Sequence, residues 1–210
     1  MKRIHRSSIS GLYAITPDEL NTAELLRQVR SALLGGARLL QYRNKRADLA
    51  LRVIQATALR EMTREFAATL IINDDAQLAA LVDADGVHLG GEDGSIGAAR
   101  ALLGKAKLIG VSCYNRLDLA EQATRDGADY VAFGAFFAST VKPEAVVASL
   151  ELLQQARREI TLPTVAIGGI TLQNGAQLVA AGADALAVIS AVFDAPDIEQ
   201  AAREFSALMN

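Results

Sequence analysis

Leu70-Ile71-Ile72-Asn73-Asp74-Asp75, followed by Gly86-Val87-His88-Leu89 and then Glu92-Asp93, sets the reading of this chain. Each half is a short apolar run that stops at a polar cluster, the pattern of a buried parallel strand whose last residue emerges into a loop. If the two runs are neighbours in one sheet, their ends lie about 5 Å apart, the ordinary strand spacing, and Asp74 and Asp93 can share one divalent cation. A carboxylate after a strand is often only a helix cap. Asp75 suits that role, because the helical run Ala76-Gln77-Leu78-Ala79-Ala80-Leu81 follows it at once. Asp74 is then left over as a ligand.

Outward from this stretch the same alternation repeats. Strands are expected at Leu12–Thr16, Leu39–Arg43, Thr69–Asn73, Gly86–Leu89, Leu108–Ser112, Tyr130–Gly134, Thr164–Ile167 and Ala185–Ile189. Helical patterns such as Thr22–Leu34, Leu49–Phe66, Leu117–Asp126 and Leu150–Glu159 lie between them. A weak repeat, Gly36-Ala37-Arg38, Gly127-Ala128-Asp129 and Gly182-Ala183-Asp184, stands at helix-to-strand junctions, where glycine ends a helix in the left-handed conformation; Asp85-Gly86 is a looser version. Eight such β/α units favour a single (β/α)8 TIM barrel over an open doubly wound sheet, and no strand is followed by a Gly-x-Gly-x-x-Gly loop.

Composition bounds the rest. The 210 residues, 51% of them apolar with four prolines, suffice for one large core, so residues 1–210 are read as one domain with residues 1–10 as a flexible extension. A net charge of −3 and the lack of a basic run argue against nucleic acid. The basic start lacks the apolar segment of a secretory signal, and no stretch is apolar enough to cross a bilayer. The single cysteine, Cys113, suits a reducing compartment, so a cytoplasmic protein is expected, free to form a homo-oligomer.

In a barrel the residues at the ends of strands build the site. After the second strand, Gln41, Arg43 and Lys45 alternate onto one side, and Gln41 interrupts an apolar run. Asn73, Asp74 and Asp93 follow the third and fourth strands, Ser112 the fifth, and a loop reaching Lys142 the sixth. His88 reads as a hydrogen-bonded core residue rather than a metal ligand. Gly168-Gly169 after the seventh strand and Ile189-Ser190 after the eighth suit a phosphate held by backbone N–H groups. Basic residues and a carboxylate pair on neighbouring loops, with a separate phosphate site opposite, suggest a magnesium diphosphate and a second phosphorylated substrate.

These residues carry a resemblance to the thiamine phosphate synthase family, also called thiamine phosphate pyrophosphorylase. It rests on Gln41-x-Arg43-x-Lys45, Ile72-Asn73-Asp74, Asp85-Gly86-Val87-His88-Leu89-Gly90 with Glu92-Asp93, Val165-Ala166-Ile167-Gly168-Gly169-Ile170 and Ile189-Ser190. The resemblance implies a transferase that joins hydroxymethylpyrimidine diphosphate to thiazole phosphate by a dissociative substitution, releasing pyrophosphate. It implies that Gln41, Arg43, Lys45, Asn73, Ser112 and Lys142 hold the pyrimidine diphosphate and that Asp74 and Asp93 bind one Mg2+ per subunit. Ser139, Thr140, Val141, Gly169, Ile189 and Ser190 would meet the thiazole phosphate. The chain departs from the family pattern at Gly91, where glutamine is usual, and at Val141, where a threonine hydroxyl is usual. Two rivals share the fold: a thiazole tautomerase, whose histidine after the fifth strand is replaced here by Tyr114, and a non-catalytic sensor of phosphate ligands.

Overall fold

The computed structural model describes residues 9–91, 93–138 and 146–209. Ser139, Thr140, Val141 and Lys142 lie outside these, as do residues 1–8 and Glu92. The strands β1 (Gly11–Ile15), β2 (Leu39–Tyr42), β3 (Thr69–Asn73), β4 (Gly86–Leu89), β5 (Leu108–Tyr114), β6 (Tyr130–Phe133), β7 (Thr164–Ile167) and β8 (Ala185–Val188) close into a barrel in sequence order. Every pairing is parallel, and β8 closes on β1. Around it lie α1 (Thr22–Leu34), α2 (Leu49–Glu65), α3 (Ala76–Leu81), α4 (Ile96–Leu103), α5 (Leu117–Asp126), α6 (Leu150–Glu159), α7 (Leu172–Ala181), α8 (Ser190–Phe193) and α9 (Ile198–Ala207). This is the single (β/α)8 barrel expected.

Strand alternation divides the core in two. Leu12, Leu40, Leu70, Ile72, Val87 and Ile109 face outward into the layer beneath the helices. Tyr13, Ile15, Leu39, Ile71, Tyr130 and Val165 face inward and fill the barrel. Ile9 is fully buried in that inner cluster, so the chain is part of the barrel from this residue onward.

The junctions follow local chemistry with two corrections. Asp75 caps α3 as expected, accepting the Leu78 N–H at 2.8 Å. Gly127 and Gly182 end α5 and α7 in the left-handed conformation, and Gly36 also has positive φ. Gly86 does not work this way: the positive φ in that turn belongs to Asp83, and Gly86 is needed because a Cβ there would lie 2.2 Å from the Leu108 carbonyl oxygen. The second correction is at β5, which runs past Ser112 to Tyr114 because its pairing with β6 shifts register between those residues.

The aspartates of the repeat have a task of their own. Asp85, Asp129 and Asp184 each precede an even-numbered strand, and each accepts a backbone N–H from the strand before it, from Leu70, Ile109 and Thr164 respectively, all at 2.8 Å. Their own N–H groups donate to carbonyls of the same residues. Arg60 and Arg100 pair with Asp85 and Asp129 at 2.7 and 2.6 Å. Arg38, at the matching position before β2, cannot accept such a bond.

Candidate active site

A cavity of about 550 Å3 opens at the carboxyl ends of the strands. Gln41, Arg43, Asn73 and Ser112 line one part of it, and Gly169, Ile189 and Ser190 another. Seven of the residues singled out from sequence thus share one cavity. Lys45 and Asp74 flank a smaller cleft beside it, which Arg43 and Asn73 also line.

The acidic pair forms because β3 and β4 are neighbours, with Asn73 opposite His88. Asp74 follows at once with φ of 65°, a left-handed conformation that aspartate tolerates better than most residues, and its N–H donates to the His88 carbonyl at 2.8 Å. Its carboxylate is ion-paired with Lys45 and hydrogen-bonded to Asp93. Burial raises the Asp74 pKa, but the bonds from Lys45 and Asp93 outweigh it and hold the group below the usual carboxylate range. Asp93 moves the other way: burial and the adjoining Asp74 carboxyl raise it, against an N–H from Gly90 at 2.9 Å. Two carboxyl groups side by side, each opposing ionisation of the pair, suit a cation that offsets their charge. Among the described residues no group of three or more histidine, cysteine or acidic side chains could hold one. A metal held there would draw on these two side chains and complete its shell from substrate and water.

The basic side is organised by Asp18, which follows β1. Its Oδ1 accepts from Arg43 Nη1 at 3.0 Å and from the Lys45 N–H at 2.7 Å. Thr16 locks the same loop, accepting the Arg43 N–H and donating to the Arg43 carbonyl. Sequence reasoning overlooked Asp18, although the rule of collecting polar residues at strand ends, applied to β1, would have found it.

On the far side, Gly168 and Gly169 have φ of 101° and 62°, and the loop after β6 lies directly on them. A Cβ on Gly169 would sit 2.4 Å from the Ala138 carbonyl oxygen, so only glycine permits the approach. Ile189 precedes α8 and Ser190 begins it, where the first N–H groups of a helix lack partners within it.

Along the floor of the cavity, to which Tyr13 and His88 also contribute, runs a polar chain. Gln41 Nε2 donates to the Tyr13 hydroxyl at 3.0 Å, which meets the Tyr130 hydroxyl at 2.9 Å. Tyr130 contacts His88 Nδ1 at 3.1 Å, and His88 Nε2 contacts Ser112 Oγ at 2.9 Å. His88 is thus the hydrogen-bonded core residue expected. Tyr130 reaches across only because residue 110 is glycine: a Cβ there would lie 2.0 Å from its ring. Tyr114 also lines the cavity, and its hydroxyl accepts the Gly91 N–H at 3.1 Å, so it touches one of the two positions where the chain departs from the family pattern.

The comparisons with known proteins agree with this architecture. The family model described as thiamine monophosphate synthase matches residues 12–192. The chain belongs to that family. It is an enzyme, a transferase of thiamine biosynthesis. It is 57% identical over 210 residues to the thiamine-phosphate synthase of Methylobacillus flagellatus, covering all of both chains. The thiamine-phosphate synthase of Thiobacillus denitrificans is 53% identical over 97% of this chain and 96% of its own. Among solved structures, thiamine phosphate pyrophosphorylase from Pyrococcus furiosus superposes with a TM-score of 0.88 at 37% identity, covering 97% of this chain and 96% of that one. These relatives lend no support to the tautomerase or sensor readings. Among the described residues no helix is long and apolar enough to cross a membrane.

Proposed function

We propose that this chain condenses hydroxymethylpyrimidine diphosphate with thiazole phosphate, releasing pyrophosphate, and that the rim from β2 to β4 is where the diphosphate departs. The observation that carries this reading is the Asp74–Asp93 pair beside Lys45 and Arg43, on the edge of a cavity large enough for two small substrates. Asp74 and Asp93 would hold a magnesium ion, which supplies counter-charge to the diphosphate. Arg43 and Lys45, preorganised by Asp18, orient that diphosphate and stabilise the charge that grows as it leaves. Asn73 and Ser112 complete the grip, and Gln41 meets the pyrimidine ring. The thiazole nitrogen is itself the nucleophile, so no general base is needed. Gly169, Ile189 and Ser190 would take the thiazole phosphate through backbone N–H groups and the serine hydroxyl. Ser139, Thr140, Val141 and Lys142 join this reading on sequence grounds alone. The chain would act on small molecules in the cytoplasm.

The test is an assay with both substrates that follows thiamine phosphate and pyrophosphate together, with and without Mg2+. Equal amounts of both products, abolished by EDTA and restored by Mg2+, are expected. Pyrophosphate without thiamine phosphate would replace condensation by hydrolysis, and full activity in EDTA would remove the metal.

A further inference from the structure

The polar chain along the cavity floor joins two residues assigned to the same substrate, Gln41 on β2 and Ser112 on β5, through Tyr130 and two further lining residues, Tyr13 and His88, to none of which the proposed reaction gives a role. Its members offer few choices of proton placement. Tyr13 and Tyr130 are 1% and 0% exposed, and burial holds both phenols far above their usual pKa, so each keeps its proton. The Tyr13 oxygen accepts from the Gln41 amide, which leaves its own hydrogen to reach Tyr130. Tyr130, accepting there, must send its hydrogen to His88 Nδ1. That nitrogen then carries no proton, so His88 has its hydrogen on Nε2 and donates to Ser112 Oγ. Ser112, accepting there, has its hydroxyl hydrogen free for the cavity. Running the chain backwards with Gln41 as it stands leaves the Tyr13 hydrogen, a buried donor, without an acceptor among the described residues. Reversal requires the Gln41 amide to turn over as well.

The two ends are therefore coupled. In the forward sense Gln41 presents its carbonyl oxygen to the cavity while Ser112 presents a donor. In the reverse sense Gln41 presents its amino group and Ser112 a lone pair. A phosphate oxygen can only accept, so a diphosphate seated against Ser112 favours the forward sense and, through the chain, an acceptor at Gln41. We infer that Tyr13, Tyr130 and His88 form a polarity relay that sets the specificity of the cavity for a pyrimidine bearing an exocyclic amino donor, and rejects one bearing a carbonyl in that place. The inference rests on the proposed function for the identity of the ring, and on the geometry alone for the relay. The three are positioning residues, acting through Gln41 and Ser112.

The experiment compares the pyrimidine diphosphate with its oxo analogue, in which a carbonyl and ring N–H replace the amino group and ring nitrogen, in the wild-type enzyme and in Tyr130→Phe, which keeps the ring in place. The ratio of kcat/KM for the two substrates should favour the amino compound and fall by about tenfold or more in Tyr130→Phe, with the KM for thiazole phosphate unchanged. Tyr13→Phe, which cuts the chain one bond nearer Gln41, should lower the ratio similarly. A ratio within about twofold of wild type in a folded Tyr130→Phe enzyme, whatever its absolute rate, would overturn the relay and leave a structural role. Nitrogen-15 NMR of the imidazole reads the chain without turnover: a proton on Nε2 alone is expected in the wild-type protein, and a proton on Nδ1 overturns the forward sense. Failure of the wild type to make thiamine phosphate would instead strike the proposed function, with the NMR result still deciding the relay.

Discussion

The two ends of the barrel use aspartate in opposite ways. At the amino ends of the strands Asp85, Asp129 and Asp184 are spent on strand N–H groups, and Asp85 and Asp129 also on half-buried arginines. At the carboxyl ends Asp74 and Asp93 lean on Lys45, on one backbone N–H and on each other. The first set completes the wall. On the proposed reading the second awaits a ligand, since a cation and a diphosphate could replace every partner it now has. On that reading the same residue type serves stability at one end and chemistry at the other, according to whether its partner is fixed backbone or a movable charge.

This contrast can be broken experimentally. Asp74→Ala or Asp93→Ala should lower turnover by at least about a hundredfold while leaving denaturant stability close to wild type, because the departing diphosphate loses its counter-charge and the fold loses almost nothing. A large drop in stability instead would show that the pair is a structural clamp after all. Lys45→Ala should lower kcat/KM for the pyrimidine diphosphate by about tenfold, again with little change in stability, since its side chain is 55% exposed. Asp129→Asn should do the reverse, costing about 1.5 kcal/mol of unfolding free energy through the weakened bonds to Arg100 and Ile109, with unchanged kcat per folded molecule. Urea titration alongside steady-state kinetics separates the two. The smallest effect belongs to Tyr114→Phe, which removes one exposed hydrogen bond to Gly91: a few tenths of a kcal/mol by the same titration, and a changed substrate KM only if this contact orders the loop before Asp93.

What the sequence disclosed, and what it hid, follows the range of each interaction. The bounds of β3, β4 and β7 are readable because an apolar run ends in a sharp polar cluster, and Asp75 is readable because a cap acts on its own helix, three residues away. The end of β5 is not, since a register shift depends on the neighbouring strand and makes Cys113 and Tyr114 look like loop. The repeat announced its glycines through a local backbone need. Its aspartates act 15 to 20 residues away, across a strand pair, and nothing in the local pattern marks them. In the site, each residue at a strand end was legible singly. Asp18 stood beside a proline-containing turn, and the relay joins five residues on five strands, visible only when the barrel closes. Ser139, Thr140, Val141 and Lys142 stand as sequence expectations outside the described residues.

The aspartates before β4, β6 and β8 have one further consequence, for how the molecule breathes. They stitch β3 to β4, β5 to β6 and β7 to β8, whereas Arg38, at the matching place before β2, accepts no such bond from β1. Six of the eight strands thus stand as three double staves. A local opening that spares these side-chain bonds has to part the barrel between staves, so the amide hydrogens of Leu70, Ile109 and Thr164, sealed inside them, are expected to be among the last to exchange with deuterated solvent.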